Sequence, residues 1–184
     1  MNWDGAGARP FNNQDHFPTD FFNNNVKAGL VYDEWPRFAT TARSSRRSIR
    51  PYADQFKPFS PEGDVLRDRQ QRHRCVVSMW PARRRPPIVT GFGVVLSDVD
   101  LAQTTSVELF DKDGTSLGRY SAPVRSDANG LSFVGVKFDV AIVARVKITC
   151  GNGALGAGVN DVSSGGASDL VVVDNVIYGE PQAF

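Results

Sequence analysis

From residue 142 to 149 the side chains Ile142, Ala144, Val146 and Ile148 fall on one parity of the chain, and Arg145 and Lys147 on the other. Successive side chains of an extended backbone point to opposite sides, so such a segment keeps its apolar set from water only as a strand with one face covered. Residues 88–96 alternate in the same way, and in 106–110 Val107 and Leu109 flank Glu108. β-rich runs return at 116–122 and at 131–138, the latter with Leu131, Phe133 and Val136 apolar. The run 170–178 is apolar nearly throughout, as expected of a strand at the centre of a sheet. About six short strands at spacings of roughly 8 to 14 residues, with no helical period between them, predict an all-β chain. The expected architecture is an antiparallel β-sandwich of jelly-roll type, not a βαβ sheet.

The breaks between these runs are turn chemistry. Ser97-Asp98-Val99-Asp100 is a polar interruption, and Asp111-Lys112-Asp113-Gly114 carries an Asp-Gly pair between two β-like runs. That is a strong hairpin signal, because glycine accepts the positive φ that primed turns require. Asp127-Ala128-Asn129-Gly130 marks another turn, and 151–166, rich in Gly, Ser and Asn, reads as a long, flexible surface loop.

With 184 residues, 41% of them hydrophobic, the chain fits one domain over 1–184, with its best-defined β region at 87–181. Charge is segregated along it. The middle, 37–85, holds twelve arginines and one lysine against four carboxylates, a net +9, while 1–36 carries −3 and 86–184 carries −5. Within that middle, Arg46-Arg47 and Arg83-Arg84-Arg85 stand among Pro51, Pro58, Pro61 and Pro81. High charge, many prolines and few core formers predict an irregular, poorly packed Arg/Pro-rich segment. In the N-terminal third, Phe11, Phe17, Phe21 and Phe22 lie among Asn, Asp and Pro, as in an irregular segment pinned by its aromatics to a larger body.

Enzymatic signatures are missing. His16 and His73 have no H-E-x-x-H or G-x-S-x-G context, and the glycine runs at 151–153 and 156–158 lack the Lys-Ser/Thr of a phosphate loop. The chain is therefore expected not to be an enzyme. Cys75 and Cys150 are the only cysteines, too few for a disulfide framework and without C-x-x-C spacing. No run of about 18 apolar residues is present to span a membrane, and Met1-Asn2-Trp3-Asp4 lacks the basic and apolar regions expected of a signal peptide.

Two binding chemistries remain. Calcium wants six to eight oxygen ligands, and loop aspartates supply them in extracellular sandwiches. Asp98, Asp100, Asp111, Asp113 and Asp174 are the candidate ligands, and calcium is the one cofactor that their chemistry suggests. The alternative is ordinary turn chemistry: a hairpin at 111–114 and hydrogen-bonded strand-end carboxylates elsewhere. The other chemistry is polyanion or nucleic-acid binding through Arg46, Arg47, Arg83, Arg84 and Arg85. The segment has neither an RNP-like aromatic pattern nor a helix-turn-helix, so nucleic acid is the weaker expectation.

Several blocks carry a resemblance to a known group of proteins. They are 89–100 (Val-Thr-Gly-Phe-Gly-Val-Val-Leu-Ser-Asp-Val-Asp), 106–111, 130–136, 144–149 and 169–181 (Asp-Leu-Val-Val-Val-Asp-Asn-Val-Ile-Tyr-Gly-Glu-Pro). The earlier blocks 2–5, 18–23 and 52–61 join them. Together they resemble secreted bacterial jelly-roll-like domains of the kind found in PEP-CTERM-type exported proteins. The resemblance implies a non-catalytic module with a structural, cell-surface or carbohydrate-type binding role, placed outside the cell or on its surface, with extracellular polysaccharide or cell-surface components as partners. It breaks at 37–50 and 62–85, where arginine clusters replace strands rich in Val, Phe and Gly. Translation of those two stretches out of the family's frame is one explanation, and it implies a defective member without function.

Overall fold

A computed structural model of the chain describes the backbone of 31–32, 36–40, 64–68 and 74–78, and residues 87–125, 130–153 and 158–182 in full. The strands are β1 (Val31–Tyr32), β2 (Pro36–Thr40), β3 (Asp64–Asp68), β4 (Arg74–Ser78), β5 (Gly91–Ser97), β6 (Ser106–Phe110), β7 (Ser116–Ser121), β8 (Leu131–Lys137), β9 (Arg145–Thr149) and β10 (Val172–Tyr178). Two five-stranded sheets result, in the orders β1-β4-β9-β6-β7 and β2-β3-β10-β5-β8, and every pairing is antiparallel. From β3 onward the chain changes sheet at every connection except the β6–β7 hairpin. The halves β3-β10-β5-β8 and β4-β9-β6-β7 are those of a jelly roll. The sequence expectation of an all-β antiparallel sandwich holds.

The two sheets meet over one hydrophobic cluster. Phe92, Val94 and Leu96 of β5, Val134 of β8 and Val173 and Val176 of β10 face Val107 and Leu109 of β6 and Val146 and Ile148 of β9. Each such side chain contributes roughly 1.5–3 kcal/mol when fully buried, which makes this layer the main source of stability. β10 lies at the centre of its sheet, between β3 and β5, as its apolar run predicts. Its ladder with β5 shifts between Val173 and Val176, a bulge that sets Asp174 and Asn175 outside the regular register.

The alternation of 142–149 is visible in the burial of β9, where Val146 and Ile148 are buried and Arg145, Lys147 and Thr149 are half-buried. The polar face is joined to β6: the Arg145 guanidinium sits 4.4 Å over the Phe110 ring, and Lys147 Nζ lies 3.3 Å from Glu108 Oε2. Residues 142–144 leave the ladder sooner than the pattern predicts, because the backbone of Val143 pairs with Val89 and the Ala144 N–H donates to the Phe110 carbonyl.

Two other segments differ from the sequence reading. β3, β4 and most of β2 lie inside 37–85, yet their backbones pair, β3 with β10 and β4 with β9. Ladder hydrogen bonds come from the backbone, so a well-formed neighbour can template a strand whose side chains carry little pattern. The loop 151–166 is not simply a flexible surface loop. Gly151, Gly153 and Asp161 are buried within it, and Val162–Ser164 form a 3-10 turn. Among the described residues no helix is long and apolar enough to cross a membrane.

Candidate cation site at the loop end of the sandwich

The ladder registers place three connections at one end. Ser97 of β5 pairs with Val172 and Leu131, and Ser106 of β6 pairs with Thr149 and Ser121. The described parts of the β5–β6, β7–β8 and β9–β10 crossovers therefore gather at that end, while the β6–β7 hairpin turn lies at the other.

Asp98 follows β5 directly and is wholly buried. Its φ of 69° is left-handed, a conformation that Asp tolerates better than most residues, and it turns the chain out of the strand. Asp98, Asp100 and Asp161 bring one carboxylate oxygen each within 4.8 Å of one another. Asp161 enters from the far side of the β9–β10 connection. Its Oδ1 accepts from the N–H and the hydroxyl of Ser163 (2.8 and 2.9 Å), which caps the 3-10 turn, and its Oδ2 accepts from the Leu170 N–H (2.6 Å).

Asp169 ties the two crossovers together. Its carboxylate accepts from the N–H groups of Asp100 (3.0 Å) and Leu101 (3.4 Å) and from the Thr104 hydroxyl. Its backbone carbonyl accepts from the N–H groups of Asn152 and Gly153, and its own N–H donates to Asn152 Oδ1 at 2.7 Å. One residue later in chain order, the Thr105 hydroxyl accepts from the Gly151 N–H at 2.8 Å.

Crowding of carboxylates in a partly dry site shifts their acidity. Burial, a side-chain hydrogen bond with Asp161 and the charges of Asp161 and Asp169 push Asp100 up to about 6, against a smaller opposing pull from the Ser163 N–H. Burial also raises Asp169, outweighing the hydrogen bonds it accepts. A group of acids whose ionised forms destabilise each other is what a bound cation relieves. Oxygens sharing one calcium ion at 2.3–2.6 Å lie no more than about 5 Å apart, which the three-carboxylate group satisfies.

Of the five candidate aspartates, the fold brings together Asp98 and Asp100. Asp111 and Asp113 lie at the opposite end. Asp111 Oδ1 accepts from the N–H groups of Asp113 and Thr115, Asp113 pairs with Lys112 at 2.6 Å, and Gly114 takes φ +83°. That is a turn built by an aspartate, and the Thr115 N–H foremost holds the Asp111 carboxyl below its ordinary range. Asp174 is buried in the β10 bulge and stands outside the three-carboxylate group. Arg46, Arg47, Arg83, Arg84 and Arg85 lie outside the described residues.

Asp161 and Asp169 escaped sequence reasoning. Both lie far along the chain from Asp98, one in a Gly/Ser-rich stretch and the other at the start of an apolar run. The available signal was the Asp-Val-Ser-Ser string at 161–164, a side-chain cap for a short turn.

No family model matches the chain, and no curated protein matches it. Among solved structures it is similar to the enzymatically active domain of tailspike protein 4 of bacteriophage CBA120, at 13% identity and a TM-score of 0.33. The match covers 82% of this chain and 18% of that one.

Proposed function

We propose that the chain is a non-catalytic β-sandwich module of an exported bacterial protein, with a structural, cell-surface or carbohydrate-type binding role and a calcium ion at its loop end. Asp98, Asp100 and Asp161 would hold the ion, and Asp169 would position the 98–104 segment through its backbone contacts. The observation that supports calcium is the meeting of three carboxylates from two separate crossovers within 4.8 Å. An ion there would join a loop leaving β5 to a loop entering β10, so its role would be structural. The blocks resembling PEP-CTERM-type exported domains support the exported location, and the lack of a catalytic sequence motif supports the non-enzymatic reading.

Calorimetric titration of chelator-treated protein tests the calcium reading, carried past the roughly 0.1–1 mM dissociation constants of extracellular modules. Heat and a raised melting temperature are expected with calcium, and both should vanish in an Asp98→Asn/Asp100→Asn double variant. A flat titration with an unchanged melting temperature rules calcium out. Retention on insoluble polysaccharide, compared with and without the ion, tests the binding role.

A further inference from the structure

Asn152-Gly153 is an Asn-Gly dipeptide, the pairing in which a side-chain amide is most open to attack by the next residue's nitrogen, because glycine puts no side chain in the way. The structure gives the glycine a different reason to be there. A Cβ at Gly153 would lie 2.5 Å from Ser168 Cβ and 2.8 Å from Leu170 Cδ2, so close packing demands glycine and creates the reactive pair as a by-product. Asn152 is exposed, and both reacting groups are engaged with Asp169. Asn152 Oδ1 accepts the Asp169 N–H at 2.7 Å, and the Gly153 N–H points at the Asp169 carbonyl at 3.4 Å.

The geometry points to Asn152 as a deamidation site that the fold keeps closed and that local opening of the 151–153 segment exposes. In the reaction the Gly153 nitrogen, losing its proton, bonds to Asn152 Cγ. The Cγ–Nδ2 bond breaks, and ammonia leaves with the proton. Water then opens the cyclic imide at either carbonyl, giving aspartate or isoaspartate at position 152. Ring closure needs nitrogen and carbon at near-attack distance, and in the folded chain both are held by bonds to a third residue. Opening must come first, so the rate follows the population of the open loop. The product matters to the fold. Isoaspartate lengthens the main chain by one carbon just before Gly153, which has no room to move, and so displaces the Asp169 turn that orders 100–104.

The test compares the folded protein with the same protein in urea, at mildly alkaline pH, following conversion at 152 by peptide mass mapping and isoaspartate labelling. Conversion in urea at least about ten-fold faster than in the folded chain is expected, as for a site gated by local opening. The sequence's other Asn-Gly pair, Asn129-Gly130, reports in the urea arm that the conditions drive the chemistry. An Asn152→Gln variant should lose the signal. Gly151→Ala, which presses on the Asp169 carbonyl, should raise the folded-state rate at 152. Equal rates at 152 in the two arms, or no conversion at 152 in urea while Asn129 reacts, overturn the proposal. If Gly151→Ala fails to fold, the two-arm comparison on the natural chain still decides.

Discussion

Gly151→Ala isolates a contact on which the loop end depends. Gly151 takes φ +63°, and a Cβ there would lie 1.9 Å from the Asp169 carbonyl oxygen and 2.8 Å from its carbon. The left-handed conformation alone costs an alanine about 1–2 kcal/mol. A Cβ cannot sit 1.9 Å from a carbonyl oxygen to which it is not bonded, so the Asp169 carbonyl must move. Moving it weakens the bonds it accepts from Asn152 and Gly153, at about 0.5–1.5 kcal/mol each. The total is about 2–5 kcal/mol, or roughly 4–20 °C in melting temperature for a domain of this size. Gly158→Ala is the matched control: φ is +79° there, but nothing lies within 4 Å of the added carbon, so only the conformational cost applies. Urea and thermal unfolding of both variants give the difference. If Gly151→Ala loses no more stability than Gly158→Ala, the packing of Gly151 against Asp169 is not what holds the crossover, and the reasoning fails.

Leu109 is fully buried between the sheets, and Leu109→Ala should cost about 2–5 kcal/mol by urea denaturation; a loss under about 1 kcal/mol would mean the sheets do not meet there. In the ion-free protein, Asp100 titrates near 6 folded against 3.8 ordinarily, so the folded state binds the extra proton between those values. Its contribution to stability is therefore present below about pH 4 and lost as pH rises through about 6; melting temperatures measured across that window should fall less in Asp100→Asn, and overlaid profiles would refute the shift. Asp111→Asn should leave any calcium response unchanged, because its carboxylate serves the β6–β7 turn at the other end; loss of the calcium-induced melting shift in that variant would count against the site assignment. Asp161→Asn should abolish the shift, and a full response in its absence would leave Asp98 and Asp100 as the whole site.

Strand identity was legible because a strand's pattern is local. Ser106–Phe110 shows its strand in five residues, and the Asp-Gly of 111–114 shows the turn that follows. Half of the site was legible in a weaker sense: Asp98 and Asp100 stand in an obvious polar break, but so do Asp111 and Asp113, and the same turn chemistry describes both pairs. What separates them is the end of the sandwich to which each belongs, and that depends on ladders between strands distant in sequence. The arrival of Asp161 beside Asp98 requires β9 and β10 to lie in different sheets with their crossover at the β5 exit. A glycine-rich stretch that reads as loose chain is held down by the same crossover, since Gly151 and Gly153 are packed under Asp169, Ser168 and Leu170.

The amino-acid order by itself therefore determined the class of fold, the positions of the C-terminal strands and the β6–β7 turn, because side-chain parity and turn residues act over a few positions. Only the tertiary structure decided which carboxylates meet, why Gly151 and Gly153 must be glycine, and how the basic middle contributes strands. Those outcomes rest on contacts between residues far apart in the chain, such as Asp100 with Asp169 and Leu66 with Val173, and a local pattern carries no record of its distant partner.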